Sequence, residues 1–374
     1  MPSKHAVLSA SSSSRWINCP PSALLNSKFD DKPSEYAMQG TDAHTLCEHK
    51  VKSLLGIETT DPTENLSYYD EEMEICADDY ANYVFAEVEQ AKHVCKDQLV
   101  MIEQRLDFSQ YVPDGFGTGD CVIVADRQLT IIDFKYGLGV VVSAEENPQM
   151  MLYALGALIL FDGIYDIDEV VMTIFQPRRS NVSTYTITKS ALLEWAENTL
   201  RPIAELAAKG EGEFKAGNHC RFCKVKATCR KRAEYNLEIA KYDFEMPNNL
   251  QDAEIEGILD KADELVAWVN DVKEYALEEA LKGKQWQGYK VVEGRSVRKF
   301  ANENIVASIV QDVGFDPFEH KVLGITAMTK LLGKKKFDEL LSEQIVKPKG
   351  KPTLVTMSDK RKAINSAKED FNKN

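Results

Sequence analysis

The sequence predicts a mixed α/β (α+β) fold in which helices flank a central mixed β-sheet. Two short β-rich runs, residues 121–125 and 129–132, are adjacent in the chain, and the polar residues 126–128 between them are typical of a hairpin turn. Segments with helical spacing of apolar residues precede and follow this pair. At 374 residues the chain is long enough to bury a full core in one large domain or two smaller ones.

The predicted elements follow one another along the whole chain. The N-terminal part contains a helix that starts after residues 40–44 and runs through residues 46–55, acid-rich helices near 69–95, and strands at about 99–107, 119–125 and 129–135. The middle part contains an apolar helix from 149 to 161, strands at 169–176 and 183–187, and a helix at 189–209. The C-terminal part contains helical spacing at 251–282, a hairpin at 289–292 and 296–300, and helices at 302–312 and 325–342. We therefore expect a body at residues 1–235 and a helical, basic C-terminal extension at residues 250–374.

Charge and hydropathy indicate the class of protein. The net charge is -14, yet residues 281–374 carry 19 Lys and Arg against 11 Asp and Glu. Any contact with DNA is therefore expected to be local, in a groove around the active site or through the basic extension. The N-terminus is polar and rich in serine, and the longest apolar run, Ala154 to Phe161, is too short for a membrane span. We expect a cytoplasmic protein, in a bacterial host cell, without membrane contact.

Two carboxylates and a lysine stand at the ends of the predicted hairpin. Asp120 enters the first strand, and Asp133 leaves the second, so antiparallel pairing brings the two carboxylates to the same end of the sheet. Two anions held this close need a cation between them, and Mg²⁺ prefers such oxygen ligands. Lys135 lies two residues beyond Asp133 and faces the same side of the strand. The arrangement suits metal-dependent hydrolysis of a phosphodiester.

With His44 upstream and Gln149 and Tyr153 downstream, these residues occur in an order that resembles the RecB-like branch of the PD-(D/E)XK nucleases. The resemblance covers about the first 235 residues and implies a restriction-endonuclease-like core. It also implies that His44, Asp120 and Asp133 bind Mg²⁺ or Mn²⁺ and that Lys135 is the catalytic lysine. Gln149 and Tyr153 would shape the active site and the DNA path. Glu103, on the preceding predicted strand, is an additional candidate that could equally be a solvated strand residue.

Cysteines form a second cluster. Cys220, Cys223 and Cys229 supply three thiolates in a short run, and Cys19 near the N-terminus could be a fourth ligand. One early and three late cysteines resemble the iron-sulfur subgroup of these nucleases, including the AddB-type and CRISPR-associated exonucleases. The resemblance implies a 4Fe-4S cluster. Structural zinc suits four cysteines equally well, and His219 could replace one of them.

The function predicted from this sequence is a metal-dependent DNA exonuclease that resects DNA ends. Its length and basic tail resemble phage or prophage enzymes, which implies a role in recombination beside a single-strand annealing or single-strand DNA-binding protein. A homo-oligomer is compatible with the composition. Two alternatives stay open. One is a structure-specific or restriction-like endonuclease with the same ligands, and the other is a non-catalytic DNA-binding scaffold.

Overall fold

The chain divides into two compact units, residues 1–291 and residues 292–374. A computed structural model describes residues 6–30, 34–238, 250–293, 301–312, 314–318 and 322–346 of the chain. No helix in these ranges combines the length and the apolar character needed to cross a lipid bilayer.

A five-stranded mixed sheet is the centre of the first unit. Its strands are β1 (Leu99–Asp107), β2 (Phe116–Ala125), β3 (Arg127–Phe134), β4 (Ile167–Gln176) and β5 (Asn181–Thr188). They lie in the order β1-β2-β3-β4-β5, so each strand pairs with its neighbour in the sequence. All pairs are antiparallel except β3 and β4, which are parallel. The predicted mixed sheet flanked by helices is confirmed.

Nine helices are found in the described part of the first unit. They are α1 (Ser13–Asn18), α2 (Ser22–Ser27), α3 (Glu35–Leu54), α4 (Glu71–Val94), α5 (Pro148–Phe161), α6 (Lys189–Trp195), α7 (Arg201–Lys209), α8 (Arg230–Leu237) and α9 (Asp252–Leu281). A π-helical turn at Ala196–Leu200 joins α6 to α7 within the helix predicted at 189–209. One correction concerns α3, which begins before residues 40–44 and contains them, because the Ser34 hydroxyl caps its N-terminus by accepting a hydrogen bond from the amide of Ala37.

The helix α5 makes the parallel pairing of β3 and β4 possible. Two parallel neighbours need a long connection from one end of the sheet to the other, and α5 supplies it. The helix begins where the Asn147 side chain accepts hydrogen bonds from the amides of Gln149 and Met150, with Pro148 at its first position. Every residue from 150 to 158 is buried, which explains a helix that is apolar on all sides.

The sheet separates two hydrophobic cores. On one face, α5, α6 and α7 cover alternate residues of the central strands, namely Val122, Val124, Leu129 and Ile131. On the other face, α3 and α4 cover the intervening residues, namely Cys121, Ile123, Ile132 and Phe134. The continuous apolar runs of β2 and β3 are therefore explained by burial of the strands on both faces.

The helix α9 belongs to the first unit, whereas the sequence predicted a C-terminal extension that begins at residue 250. Asp271 of α9 pairs with the Arg232 guanidinium of α8 at 2.6 Å and with the Lys226 ammonium at 2.7 Å. Arg232 is buried, so this ion pair ties α9 to α8. The structure draws the boundary between the units near residue 291.

The described part of the second unit contains three helices. They are α10 (Glu303–Asp312), α11 (Ile325–Leu332) and α12 (Lys334–Leu341). Gly333, with a φ of +74°, ends α11, so the helix predicted at 325–342 is two helices. Residues 289–292, one half of the predicted hairpin, form no strand, and the other half at 296–300 lies outside the described residues.

Gly156 lets α5 approach β1 closely, and we predict that Gly156→Ala destabilises the fold. A Cβ atom at this position would lie 2.9 Å from Leu106 Cβ and 3.2 Å from its carbonyl carbon. Such overpacking costs about 1–3 kcal/mol, which exceeds the ~1 kcal/mol that alanine gains in helix propensity. Denaturant unfolding should therefore show a net loss of up to about 2 kcal/mol. Gly163→Ala is the control, because no atom lies within 4 Å of its Cβ position, and an equal loss in both variants would contradict the packing argument.

Candidate functional site

Asp120 and Asp133 face each other across β2 and β3. The register pairs Cys121 with Ile132, which places the two aspartates opposite each other at the next position. Asp120 Oδ2 accepts a hydrogen bond of 2.7 Å from the backbone amide of Phe134. The hairpin between the strands therefore brings these carboxylates together, as the sequence predicted.

Three possible metal ligands, His44, Glu103 and Asp120, lie close together. His44, on α3, places Nδ1 3.4 Å from Asp120 Oδ1. The register pairs Ile102 with Cys121 and Gln104 with Gly119, so Glu103 of β1 lies opposite Asp120 on the other side from Asp133. One ligand atom each from His44, Glu103 and Asp120 lies within 4.8 Å of the other two. This set of one nitrogen and two carboxylates could hold a divalent cation.

The strand β1 changes faces at this point. Leu106 lies in the core under α5, whereas Ile102, four residues earlier, packs with the core under α3 and α4. In a regular strand these two side chains would share a face. Glu103 lies between them with a φ of +53°, a left-handed conformation that is rare for a residue with a side chain. The irregularity coincides with the position where the donor groups meet.

Two glycines before Asp120 have a steric role. A Cβ atom at Gly117 would lie 2.7 Å from the Tyr153 ring, and one at Gly119 would lie 3.0 Å from Leu106 Cδ1. A larger residue at Gly117 would push Tyr153 away from β2, and one at Gly119 would press on Leu106. The glycines of the segment Gly117-Thr118-Gly119-Asp120 thus allow α5 to pack closely on the strand that carries Asp120.

Asp133 is buried in a network with Lys135, Gln149 and Tyr153. Its Oδ2 lies 2.7 Å from Lys135 Nζ, and its Oδ1 accepts a hydrogen bond of 3.1 Å from Gln149 Nε2. The Gln149 Oε1 atom accepts a hydrogen bond of 3.3 Å from Lys135 Nζ, and its Nε2 donates to the Tyr153 hydroxyl at 3.1 Å. The two helix residues therefore hold the ends of Asp133 and Lys135 in fixed positions. Asp133 is not in the three-residue donor set around Asp120.

The pKa values follow from burial and from the charges nearby. Burial lowers the pKa of His44, but the Asp120 carboxylate outweighs this effect and raises it to about 8. Burial, together with the charge of Asp120, raises the pKa of Glu103 to about 7. The carboxylates of Asp133 and Asp120 more than offset burial at Lys135 and raise its pKa, so this side chain stays a cation. The site is a cluster of acids in which a positive charge is favoured.

All four predicted cysteine ligands line one small cavity. Cys19 follows α1, Cys220 lies in the 3-10 helix Asn218–Phe222, and Cys223 and Cys229 follow it. All four thiols are free, which excludes a disulfide among them in this structure. His219 lines the same cavity. Basic side chains also line it, namely Arg15, Lys215, Lys226 and Arg232.

The N-terminal helices α1 and α2 contact residues 220–229, which we call the cysteine segment. The Asn26 side chain of α2 donates to Cys223 Sγ at 3.3 Å and accepts a hydrogen bond of 2.7 Å from the amide of Lys224. The Arg15 guanidinium donates to the carbonyl of Phe222 at 3.4 Å. Asn26 is buried, and sequence reasoning missed it because a lone asparagine carries no signal of so distant a partner.

Residues 5–362 match the family described as "Protein of unknown function (DUF2800)". The chain belongs to this family. Two solved structures are similar to the DUF2800 chain at low identity. One, described as a "Putative exonuclease" from Eubacterium rectale, is 11% identical over 65% of this chain and 90% of that chain, with a TM-score of 0.33. The other, described as SSO0001, is 12% identical over 52% of this chain and 98% of that chain, with a TM-score of 0.20.

The pairing of His44 with Asp120 gives a titration that can be measured in metal-free protein. Because the Asp120 charge outweighs burial, we expect Asp120→Asn to lower the pKa of His44 from about 8 to its ordinary 6.5 or below. In the wild type, protonated His44 stabilises the fold fully below pH 6.5, and this contribution is lost as the pH rises through about 8.

An NMR titration of the histidine ring in the presence of a chelator measures both values. Asp78→Asn is the matched control, because Asp78 is an acid that pairs with Lys50 of α3. That variant should leave the titration of His44 in place. An unchanged His44 pKa in Asp120→Asn would contradict the assigned cause.

Proposed function

We propose that this protein is a metal-dependent deoxyribonuclease of the RecB-like PD-(D/E)XK type, with exonuclease activity favoured. The observation that carries the proposal is the approach of His44, Glu103 and Asp120 within 4.8 Å, beside the ion pair of Asp133 and Lys135. Three donors of this kind next to a half-buried lysine would form a site for a cation and a phosphodiester together. A bound Mg²⁺ or Mn²⁺ would neutralise charge on the phosphate and lower the pKa of an attacking water.

The residues of the chain divide the remaining work. Lys135 has a raised pKa, so it acts as a fixed cation that offsets the charge of the phosphate and does not act as a base. Gln149 orients it by accepting from its ammonium at 3.3 Å and donating to Asp133 at 3.1 Å. Tyr153 supports Gln149 from one turn further along α5. Asp133 would become a further metal ligand if it gave up part of its ion pair with Lys135.

The cysteines support the iron-sulfur form of this proposal. The four thiols line one cavity and form no disulfide, so they are available to a metal group. Four thiolates suit zinc equally well, and the resemblance to the iron-sulfur nucleases is the reason for proposing a 4Fe-4S cluster. The basic side chains around the cavity suit the negative charge of a thiolate-bound cluster.

The wider role in this proposal rests on the resemblance. By this resemblance, the enzyme would resect DNA ends in the cytoplasm of a bacterial host cell during phage recombination. A single-strand annealing or single-strand DNA-binding protein would take up the product, and the enzyme could act as a homo-oligomer.

Degradation of linear and circular DNA tests the nuclease activity. With Mg²⁺, we expect the wild type to degrade end-labelled linear DNA, and we expect Asp133→Ala and Lys135→Ala to lower the rate on the order of 100-fold or more. Asp126→Ala is the matched control, because this exposed acid lies in the turn at the other end of the hairpin. Gel assays of linear and covalently closed DNA measure all four proteins.

Two other results of these assays would each favour a different function. Cutting of the closed circle would replace the exonuclease by an endonuclease with the same ligands. Binding of DNA without degradation of either substrate would favour the non-catalytic scaffold.

Metal analysis and absorption test the cysteine site. We expect anaerobically purified protein to be brown, with broad absorption near 400 nm, as is usual for iron-thiolate clusters. Cys223→Ser should abolish the colour because it removes one ligand. Cys95→Ser should keep it, since this buried cysteine lies outside the cavity and contacts Asp97. Colourless wild-type protein with stoichiometric zinc would overturn the cluster and leave the nuclease proposal intact.

A further inference from the structure

A loop directly after the lysine of the candidate active site exposes apolar side chains. It begins two residues beyond Lys135 and leads to α5. Three of its side chains, Leu138, Val140 and Val141, are 48%, 45% and 50% exposed. Three exposed apolar side chains among four residues, beside a site made of charged groups, indicate a surface that binds a partner.

The loop is held in place by buried polar groups. Gln176 is 1% exposed, and its Nε2 atom donates to the carbonyls of Gly137 at 2.8 Å and Val140 at 2.9 Å. Its Oε1 atom accepts a hydrogen bond of 3.2 Å from the amide of Val142, whose carbonyl accepts one of 2.9 Å from Asn181. The backbone is therefore fixed while its apolar side chains face solvent.

The cysteine segment extends this surface. A side chain at Gly139 would lie 3.9 Å from the Arg221 guanidinium, so the loop and the cysteine segment meet there. The Arg221 guanidinium lies 6.0 Å from the centre of the Phe222 ring, and Phe222 is 75% exposed. We call this surface the apolar rim, which consists of Leu138, Val140, Val141, Arg221 and Phe222.

Four of the five residues of the apolar rim fit the bases of nucleic acid and not its phosphates. Phosphates need charges and hydrogen-bond donors, which Leu138, Val140, Val141 and the Phe222 ring do not offer. Arg221 is the one rim residue that could bind a phosphate, and its guanidinium plane can also stack on a base. Unpaired bases have apolar faces that stack on aromatic rings and on guanidinium planes. In an intact duplex these faces are hidden by the neighbouring base pairs, so only a single strand or a frayed end can present them.

We propose that the apolar rim binds the unpaired bases of a DNA strand whose phosphodiester lies at the site around Asp120 and Asp133. This inference rests on the proposed nuclease function and names its substrate class, which is single-stranded DNA or a frayed end. The chain order supports it, because Leu138 of the rim lies three residues after Lys135, so the rim is close to the place proposed for the phosphate.

Binding of DNA that contains 2-aminopurine tests the inference without any cleavage. In the presence of a chelator, we expect wild-type protein to change the fluorescence of a single-stranded 2-aminopurine oligonucleotide. The double variant Val140→Ser/Val141→Ser, and separately Phe222→Ala, should bind this oligonucleotide about tenfold more weakly, in line with the loss of one base contact. Their affinity for a fully paired duplex should change less than twofold. Ile164→Ser is the matched control, since Ile164 is 74% exposed and lies just before β4, at the end of the sheet away from Asp133.

The outcomes separate this inference from the nuclease proposal. If the wild type degrades no DNA and the rim variants lose single-strand binding, the assignment of the rim stands and the proposed catalytic function is overturned. Nuclease activity with unchanged single-strand binding in both rim variants would overturn the rim alone. Wild-type protein that does not bind the single-stranded oligonucleotide would overturn it as well. Equal losses on single-stranded and duplex DNA would also overturn it, because they would indicate a general DNA surface or an altered fold.

Discussion

The enclosure of two carboxylates on neighbouring strands, Asp133 buried and Asp120 12% exposed, is the constraint on which the rest of the first unit depends. Asp120 is compensated by His44 and by the amide of Phe134, and Asp133 by Lys135 and Gln149. Two of these partners come from helices, His44 from α3 on one face of the sheet and Gln149 from α5 on the other, and the other two come from β3 and the residue that follows it. Leaving a buried charge without its partner costs about 3–5 kcal/mol. Both helices must therefore be docked before the strands can carry these acids, which couples the formation of the site to the formation of both cores.

Much of this arrangement could be predicted from the sequence because it depends on short-range patterns. The apolar runs of β2 and β3, the position of α5 and the spacing of Asp120, Asp133 and Lys135 are local features. The start of α3 was predicted wrongly, since Gly40 was taken to precede the helix, and packing of α3 on α4 outweighs the poor helix propensity of glycine. The end of α11 at Gly333 follows from a left-handed backbone that the apolar spacing of residues 325–342 does not reveal.

The least predictable feature is the change of faces at Glu103. A strand pattern with period two assigns Leu106 and Ile102 to one side of the sheet, yet they lie in different cores. A left-handed residue other than glycine costs on the order of 1–3 kcal/mol, and such conformations cluster at functional sites. The surrounding sheet and the two helices hold Glu103 in this conformation. The result is that a third acid joins the site from a strand where alternation alone predicts nothing special.

The contact between Asn26 and Cys223 has a consequence for how the protein is made. These residues are 197 positions apart in the sequence, so the N-terminal helices are synthesised long before the segment that they bind. At about 5–20 residues per second, a ribosome needs about 10–40 s to add the intervening chain. During that interval α2 has no cysteine segment to pack against, while the strands and α5 are already able to assemble. Closure of this distant contact therefore follows synthesis of the whole sheet and precedes synthesis of α8 and α9. A chain that is truncated before residue 220 would lack the contact however well its sheet had formed.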